Sequence, residues 1–252
     1  KFSTVNQFLI VIPAYNEGDR LKGFLPFLTA ELRRLEIPAR VLVVDDGSAE
    51  TESRAMQTLC QNTRSVNTET VEYLKLEKNY GKGGAVYAGW NRAETESLLV
   101  FVDADGSISP EETARILNRA AESPEKAHFA SRVKMRGKKI FRAVPRHWMG
   151  RIFASLVGAF IDPEIYDSQC GFKIIPINVY KKIVPLLRED RFAFDIELLS
   201  ALNYVGCPVI EHPIDWKEVS GSKVSLISDT LQMACAIFTI SRRAKSWRYN
   251  KR

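Results

Sequence analysis

Four short apolar runs punctuate the first half of the chain: FLIVIP (Phe8–Pro13), RVLVVD (Arg40–Asp45), VEYLKLE (Val71–Glu77) and LLVFVD (Leu98–Asp103). The first, second and fourth are almost continuously apolar. A strand with no polar face must be covered on both sides, as the strands of parallel sheets are. Helical spacing fills the segments after them, over roughly Arg20–Leu35, Thr51–Gln61, Gly84–Ala93 and Pro110–Ala121. This alternation predicts an α/β chain: a doubly wound, mostly parallel sheet with helices on both faces and right-handed crossovers.

The second half is less regular. An amphipathic helix is expected over Trp148–Ile161, then a loop through YDSQCGFK (Tyr166–Lys173). Helices near Pro176–Leu187 and Asp195–Tyr204, a strand over Pro208–Trp216 and a basic helix from Leu226 to Lys245 follow. No repeat, low-complexity tract or linker interrupts the pattern, so one domain over residues 1–252 is expected.

Composition narrows the functional classes. With 45% apolar and 26% charged residues, the chain can bury a core and is not broadly disordered. A net charge of +6 suits a polyanionic partner, whether nucleotide, phospholipid or nucleic acid. Cys60, Cys170, Cys207 and Cys235 form no CxxC pair, and the three histidines are scattered. Neither a zinc site nor a disulfide framework follows, and a reducing, cytoplasmic compartment is expected. Apolar stretches are broken at Arg151 and at Ser228 and Asp229, so none approaches the roughly 18 residues a membrane span needs.

In doubly wound sheets, ligands bind outside the carboxyl ends of the strands. Three of the predicted strands end there in polar clusters: PAYNE (Pro13–Glu17), DDGS (Asp45–Ser48) and DADGS (Asp103–Ser107). Each alone reads equally as a turn or a capped helix start. Together, on one edge, they define a site. Asp103 and Asp105, two positions apart, repel each other unless a cation lies between them, which suits Mg²⁺ or Mn²⁺ clamping a diphosphate. Asp105 is the first choice for direct ligation, with Asp103 acting through a ribose or a metal-bound water. Asp45 or Asp46 can accept from a base or ribose. NYGKGG (Asn79–Gly84) is similar to a phosphate-cradling loop but matches neither common nucleotide fingerprint.

These four segments, in order and spacing, resemble the inverting family 2 glycosyltransferases of GT-A fold. YDSQCGFK, RFAFDIELL (Arg191–Leu199) and IDWKEVSGSKV (Ile214–Val224) resemble the dolichyl-phosphate (polyprenyl-phosphate) beta-glucosyltransferases, which are related to the dolichyl-phosphate mannosyltransferases. The likeness covers roughly residues 8–248. It implies a nucleotide-sugar-binding half over about 8–132 and an acceptor-side region over about 133–252.

The implied activity is metal-dependent, inverting transfer of a hexose, first of all glucose from UDP-glucose, to a polyprenyl phosphate, with Mg²⁺ or Mn²⁺ as cofactor. Pro13, Tyr15, Glu17, Asp45, Asp46, Lys82, Asp103 and Arg132 would line the donor. Asp103 and Asp105 would hold the metal, and Arg142, Arg146, Lys217 and Lys223 the acceptor phosphate. Asp167, Asp195 and Glu197 are further candidates for the chemistry; for Asp195 and Glu197 a plain helix N-terminal charge serves equally well.

A lipid acceptor implies binding at a membrane surface, on the cytoplasmic face, with Trp148–Ile161 and the basic tail as candidate contacts. Eukaryotic enzymes of this type carry an N-terminal anchor that these residues do not show, so a prokaryotic version or a trimmed chain is expected. The alternatives are a GT-A transferase using GDP-mannose, another sugar nucleotide or a saccharide hydroxyl acceptor, and, remotely, a non-catalytic nucleic-acid-binding protein. Three acidic clusters on one edge argue against the last, because they repel a phosphate backbone.

Overall fold

The computed structural model describes residues 7–63, 70–132, 140–141, 165–217 and 228–249. Strands β1 (Phe8–Ala14), β2 (Ala39–Asp45), β3 (Thr70–Lys75) and β4 (Leu98–Val102) are the four expected from the sequence, shifted by a residue or two at their ends. With β5 (Ala127–Ser131), β7 (Phe172–Pro176) and β8 (Val209–Pro213) they form one sheet of seven, in the order β3-β2-β1-β4-β7-β5-β8. All neighbours pair in parallel except at β7, which runs antiparallel to both β4 and β5. A separate ribbon joins β6 (Ile140–Phe141) to β9 (Trp216–Lys217).

Three local expectations are corrected. The loop expected through Tyr166–Lys173 ends at Phe172, where β7 begins. β5 was not anticipated, and the single strand expected over Pro208–Trp216 is split into β8 and β9. AHFAS and FKIIP are only five residues long and each contains a polar residue, so periodicity has little to act on.

Both faces are covered, as the apolar runs require. Phe8, Ile10 and Ile12 of β1 pack with Val41 and Val43 against α1 (Gly18–Arg34), α2 (Glu50–Thr63) and α4 (Pro110–Glu122). The alternate residues Leu9, Val11, Leu42 and Val44 face α3 (Lys82–Trp90), α5 (Ile177–Ile183) and α6 (Phe194–Val205). Burying one such side chain contributes roughly 1.5–3 kcal/mol. α4 starts where its sequence says it should, with Pro110 in the first turn and the Ser109 hydroxyl accepting from the Glu112 N–H at 3.3 Å. The last helix, α7 (Ser228–Tyr249), returns to the core through Ile237, Ile240 and Trp247. Among the described residues, no helix is long and apolar enough to cross a membrane.

At the far edge, His128 of β5 is buried and its Nε2 lies 3.0 Å from the Ser123 carbonyl. Nε2 therefore carries the proton, and Nδ1 accepts from Nε2 of His212 on β8 at 2.9 Å. Burial, with His128, Arg115 and Arg119 nearby, holds the His212 imidazole down to about 4. Burial also lowers His128. In the unfolded chain a histidine titrates near ~6.5. Between these values the unfolded chain binds more protons, so acidification destabilises the fold. The melting temperature is expected to fall between pH 6.5 and about 4, and His212→Gln is expected to flatten part of that slope.

Candidate active site at the carboxyl edge of the sheet

The loops after β1 and β2 are laced together. The Asn16 N–H donates to the Ser48 hydroxyl at 2.8 Å, and the Ala49 N–H donates back to Asn16 Oδ1 at 2.9 Å. This grip holds Asn16 in the left-handed region, at φ 50°, which asparagine tolerates better than most residues. Tyr15, beside it, is exposed, while Glu17 pairs with Arg20 at 3.2 Å.

The two aspartates of DDGS point to different neighbours. Asp45 is fully buried and accepts from the Ser48 N–H at 2.9 Å and from the hydroxyls of Ser53 and Tyr73. Burial pushes its carboxyl up, but these donors outweigh burial and hold it below the ordinary carboxylate range. Asp46 accepts from the N–H groups of Tyr80 and Gly81, at 2.7 and 2.9 Å. Burial leaves its carboxyl raised despite those bonds. Asp46 thus fixes the glycine loop that precedes α3, and Lys82 follows directly from it.

Lys82 links that loop to DADGS. Its Nζ lies 2.6 Å from Asp103 Oδ1 and 5.3 Å from the centre of the Phe101 ring. Burial opposes its charge, but Asp103, Asp195 and Asp105 together hold the ammonium above its ordinary range. Asp103 is anchored by its N–H to the Gly171 carbonyl at 2.9 Å. A Cβ at Gly171 would fall 2.0 Å from Asp103 Oδ2, so only glycine leaves room for this carboxylate. Asp105 turns back on its own loop, accepting from the Ser107 N–H at 2.9 Å, with Gly106 at φ +67°.

Two acids from the second half complete the cluster. Asp167 receives Arg132 side-on, Nε to Oδ2 and Nη2 to Oδ1, both at 2.8 Å, and the Arg132 N–H donates at 2.7 Å. Burial pushes Asp167 up, but Arg132 outweighs it and holds the carboxyl below the ordinary range. Asp195, at the start of α6, lies 2.6 Å from the ammonium of Lys173. Burial raises its carboxyl against the pull of Lys173 and Lys82. Arg132 in turn lies within electrostatic reach of Asp103.

Sequence reasoning therefore picked out Lys82, Asp103, Asp105, Arg132, Asp167 and Asp195, which the fold gathers in one place. Glu197 faces elsewhere. It is fully buried, accepts from the Arg188 and Glu189 N–H groups at 2.6 and 2.7 Å, and pairs with Arg243 of α7. Pro13 is the penultimate residue of β1, paired with Val44 of β2. Arg142, Arg146 and Lys223, like Trp148–Ile161, lie outside the described residues; Lys217 is placed only by its backbone, in β9. Lys173 and Gly171 were missed as site residues. The available signal was a lysine inside the apolar run FKIIP.

Comparison with known proteins decides the class. The glycosyl transferase family 2 model matches residues 9–184. The chain belongs to that family. This glycosyltransferase is 31% identical over 259 residues to the dolichyl-phosphate beta-glucosyltransferase of Homo sapiens, covering 98% of this chain and 79% of that protein. It is 30% identical over 244 residues to the enzyme of the same name from Dictyostelium discoideum, covering 93% and 73%.

Among solved structures, mannosyl-3-phosphoglycerate synthase from Rubrobacter xylanophilus aligns with a TM-score of 0.68 at 15% identity, covering 94% of this chain and 73% of that one. Glucosyl-3-phosphoglycerate synthase from Mycobacterium tuberculosis, in complex with Mn²⁺, UDP-glucose and phosphoglyceric acid, aligns at 0.65 and 12%, covering 94% and 80%. Identities this low establish the fold alone, and that fold is GT-A.

The residues present fit a divalent cation. Asp103 and Asp105 are hard oxygen donors, and each has one oxygen already engaged, by Lys82 and by the Ser107 N–H. Among the described residues no group of three or more acids, histidines or cysteines is placed to hold a metal. Mg²⁺ typically uses one or two carboxylates and takes its remaining ligands from substrate phosphates and water. The donor set matches that pattern.

Proposed function

We propose that this glycosyltransferase transfers a hexose, first of all glucose from UDP-glucose, to a dolichyl-type polyprenyl phosphate with inversion at the anomeric carbon. One observation carries the choice of acceptor. Each of the three further acids named for the chemistry has a cationic partner: Asp167 has Arg132, Asp195 has Lys173 and Glu197 has Arg243. A saccharide hydroxyl needs a base to take its proton. A phosphate monoester is already anionic near neutral pH and needs only to be positioned. The names of the similar dolichyl-phosphate beta-glucosyltransferases support the same acceptor and sugar.

In this reading Tyr15 and Glu17, with the Asp45–Asp46 loop, border the nucleoside, and Asp103 and Asp105 face the diphosphate. A divalent ion held by these two acids would neutralise charge on the departing UDP. Lys82 supplies a fixed positive charge beside Asp103 and the same leaving group. An acceptor phosphate oxygen forms the new bond to the anomeric carbon as the bond to the UDP oxygen breaks. Arg132 stays oriented by Asp167, while Arg142, Arg146, Lys217 and Lys223 are proposed for the acceptor phosphate. The exposed Phe238, near Arg242 and Lys245 on α7, suits peripheral contact with the cytoplasmic face of a membrane.

The test is direct. UDP-glucose with Mn²⁺ is expected to raise the melting temperature, and labelled glucose is expected to appear on polyprenyl phosphate. A larger shift with GDP-mannose, or transfer to a saccharide and to no lipid phosphate, would overturn the assignment.

A further inference from the structure

Lys173 is the second residue of β7, paired with Phe101 one step short of the carboxyl end of β4, and its side chain is wholly inaccessible to solvent. Its ammonium lies 2.6 Å from Asp195 Oδ1, donates to the Cys170 carbonyl at 2.8 Å, and stands 5.0 Å from the ring centres of both Phe101 and Phe129. The approach to Asp195 is close but off the direction of a hydrogen bond to Oδ1. Burying such a pair is expensive, and a well-packed apolar pair in its place is often as stable or more so. Stability alone therefore gives a poor reason for a lysine here.

The surroundings give a better one. Asp195 also lies within electrostatic reach of Lys82 and Asp103. Lys82 is paired with Asp103 at 2.6 Å, and its ammonium shares the Phe101 ring with Lys173. Charges thus alternate through the cluster: Lys173, Asp195, Lys82, Asp103. Without Lys173, Asp195 would be a buried carboxylate whose nearest remaining cation is Lys82. That pull competes with Asp103 for the same ammonium, at the place where the diphosphate is to bind.

We infer that Lys173 is a positioning residue for the transfer reaction: by holding Asp195, it leaves Lys82 directed at Asp103 and the nucleoside diphosphate. The inference rests on the proposed function, since it assumes that the diphosphate binds at Lys82 and Asp103.

The test measures UDP affinity by calorimetry in the presence of Mn²⁺, together with kcat and melting temperature, for Lys173→Met, Asp195→Asn and the double variant. Lys173→Met is expected to weaken UDP binding and lower kcat by about 10- to 100-fold, the range seen when an oriented supporting partner is lost. Because Lys173 acts through Asp195, the double variant should bind UDP no worse than the weaker single variant. With the competing carboxylate gone, it should regain UDP affinity as well as melting temperature, and Asp195→Asn alone should keep UDP affinity although it loses melting temperature. The double variant and Asp195→Asn keep the question answerable if Lys173→Met does not fold. UDP affinity within twofold of wild type in Lys173→Met, losses that multiply in the double variant, melting temperature that returns there without affinity, or UDP affinity lost in Asp195→Asn alone would each overturn the inference. A wild-type chain that binds UDP but transfers no glucose defeats the proposed acceptor and leaves Lys173 judged on affinities. A wild-type chain that binds no UDP defeats both.

Discussion

Asp105→Asn is expected to lower sugar transfer by about 10³-fold while the melting temperature stays within about 2 °C of wild type. The two halves of that expectation have separate causes. The one internal bond described for the Asp105 side chain is from the Ser107 N–H to Oδ1, and an asparagine keeps an oxygen there. Only the negative charge is lost, and that charge is what the proposed divalent ion needs from this position. Transfer rates at saturating UDP-glucose and Mn²⁺, beside a thermal melt, separate the effects. Near-wild-type transfer by Asp105→Asn would remove this residue from the metal site. Loss of transfer with a collapsed melt would make its role structural.

Glu197→Ala should do the reverse. The Glu197 carboxylate is fully buried, accepts two backbone N–H groups from Arg188 and Glu189, and pairs with Arg243, which also reaches Glu189 at 3.2 Å. Removing it leaves the Arg243 guanidinium without its buried partner and strands two amides. Loss of one member of a buried pair costs about 3–5 kcal/mol, or roughly 10 °C for a chain of this size. The more conservative Glu197→Gln keeps an acceptor and should melt nearer to wild type, with kcat per folded molecule changed only a few-fold. A fall of about 10²-fold in Glu197→Gln, with the melt unchanged, would instead place Glu197 in the chemistry.

The contrast between these two acids shows where sequence reading stops. Asp103 and Asp105 could be read because they end a continuous apolar strand, and such strands deliver their last residues to a predictable edge. Asp195 and Glu197 are two apart at the start of one helix, and nothing in RFAFDIELL tells them apart. Their partners, Lys173 and Arg243, are supplied by a strand and a helix brought in from elsewhere in the chain. β1, β2 and β4 were legible for the same reason as the DADGS site, being almost continuously apolar. β5 and β7 were not, since a five-residue strand containing His128 or Lys173 carries too little pattern to stand out. NYGKGG was legible as a loop but not in its packing: a Cβ at Gly83 would meet the Phe194 side chain at 2.5 Å, so at least this glycine admits α6.

β7 has a consequence for how the molecule comes into being. It is the wedge between β4 and β5, so the edge of β4 near residue 100 stays open until residues beyond 170 have been synthesised. β5 waits longer for its outer neighbour, since β8 begins at Val209. The laced loops after β1 and β2 can form early, but Gly171, against which Asp103 is seated, arrives only with β7. The nascent chain therefore carries an unfinished sheet edge, and an unfinished candidate site, from the completion of β4 at Val102 until β7 begins at Phe172. A chain truncated before β7 would lack Lys173 and Asp195 and would present β4 as a template for another copy.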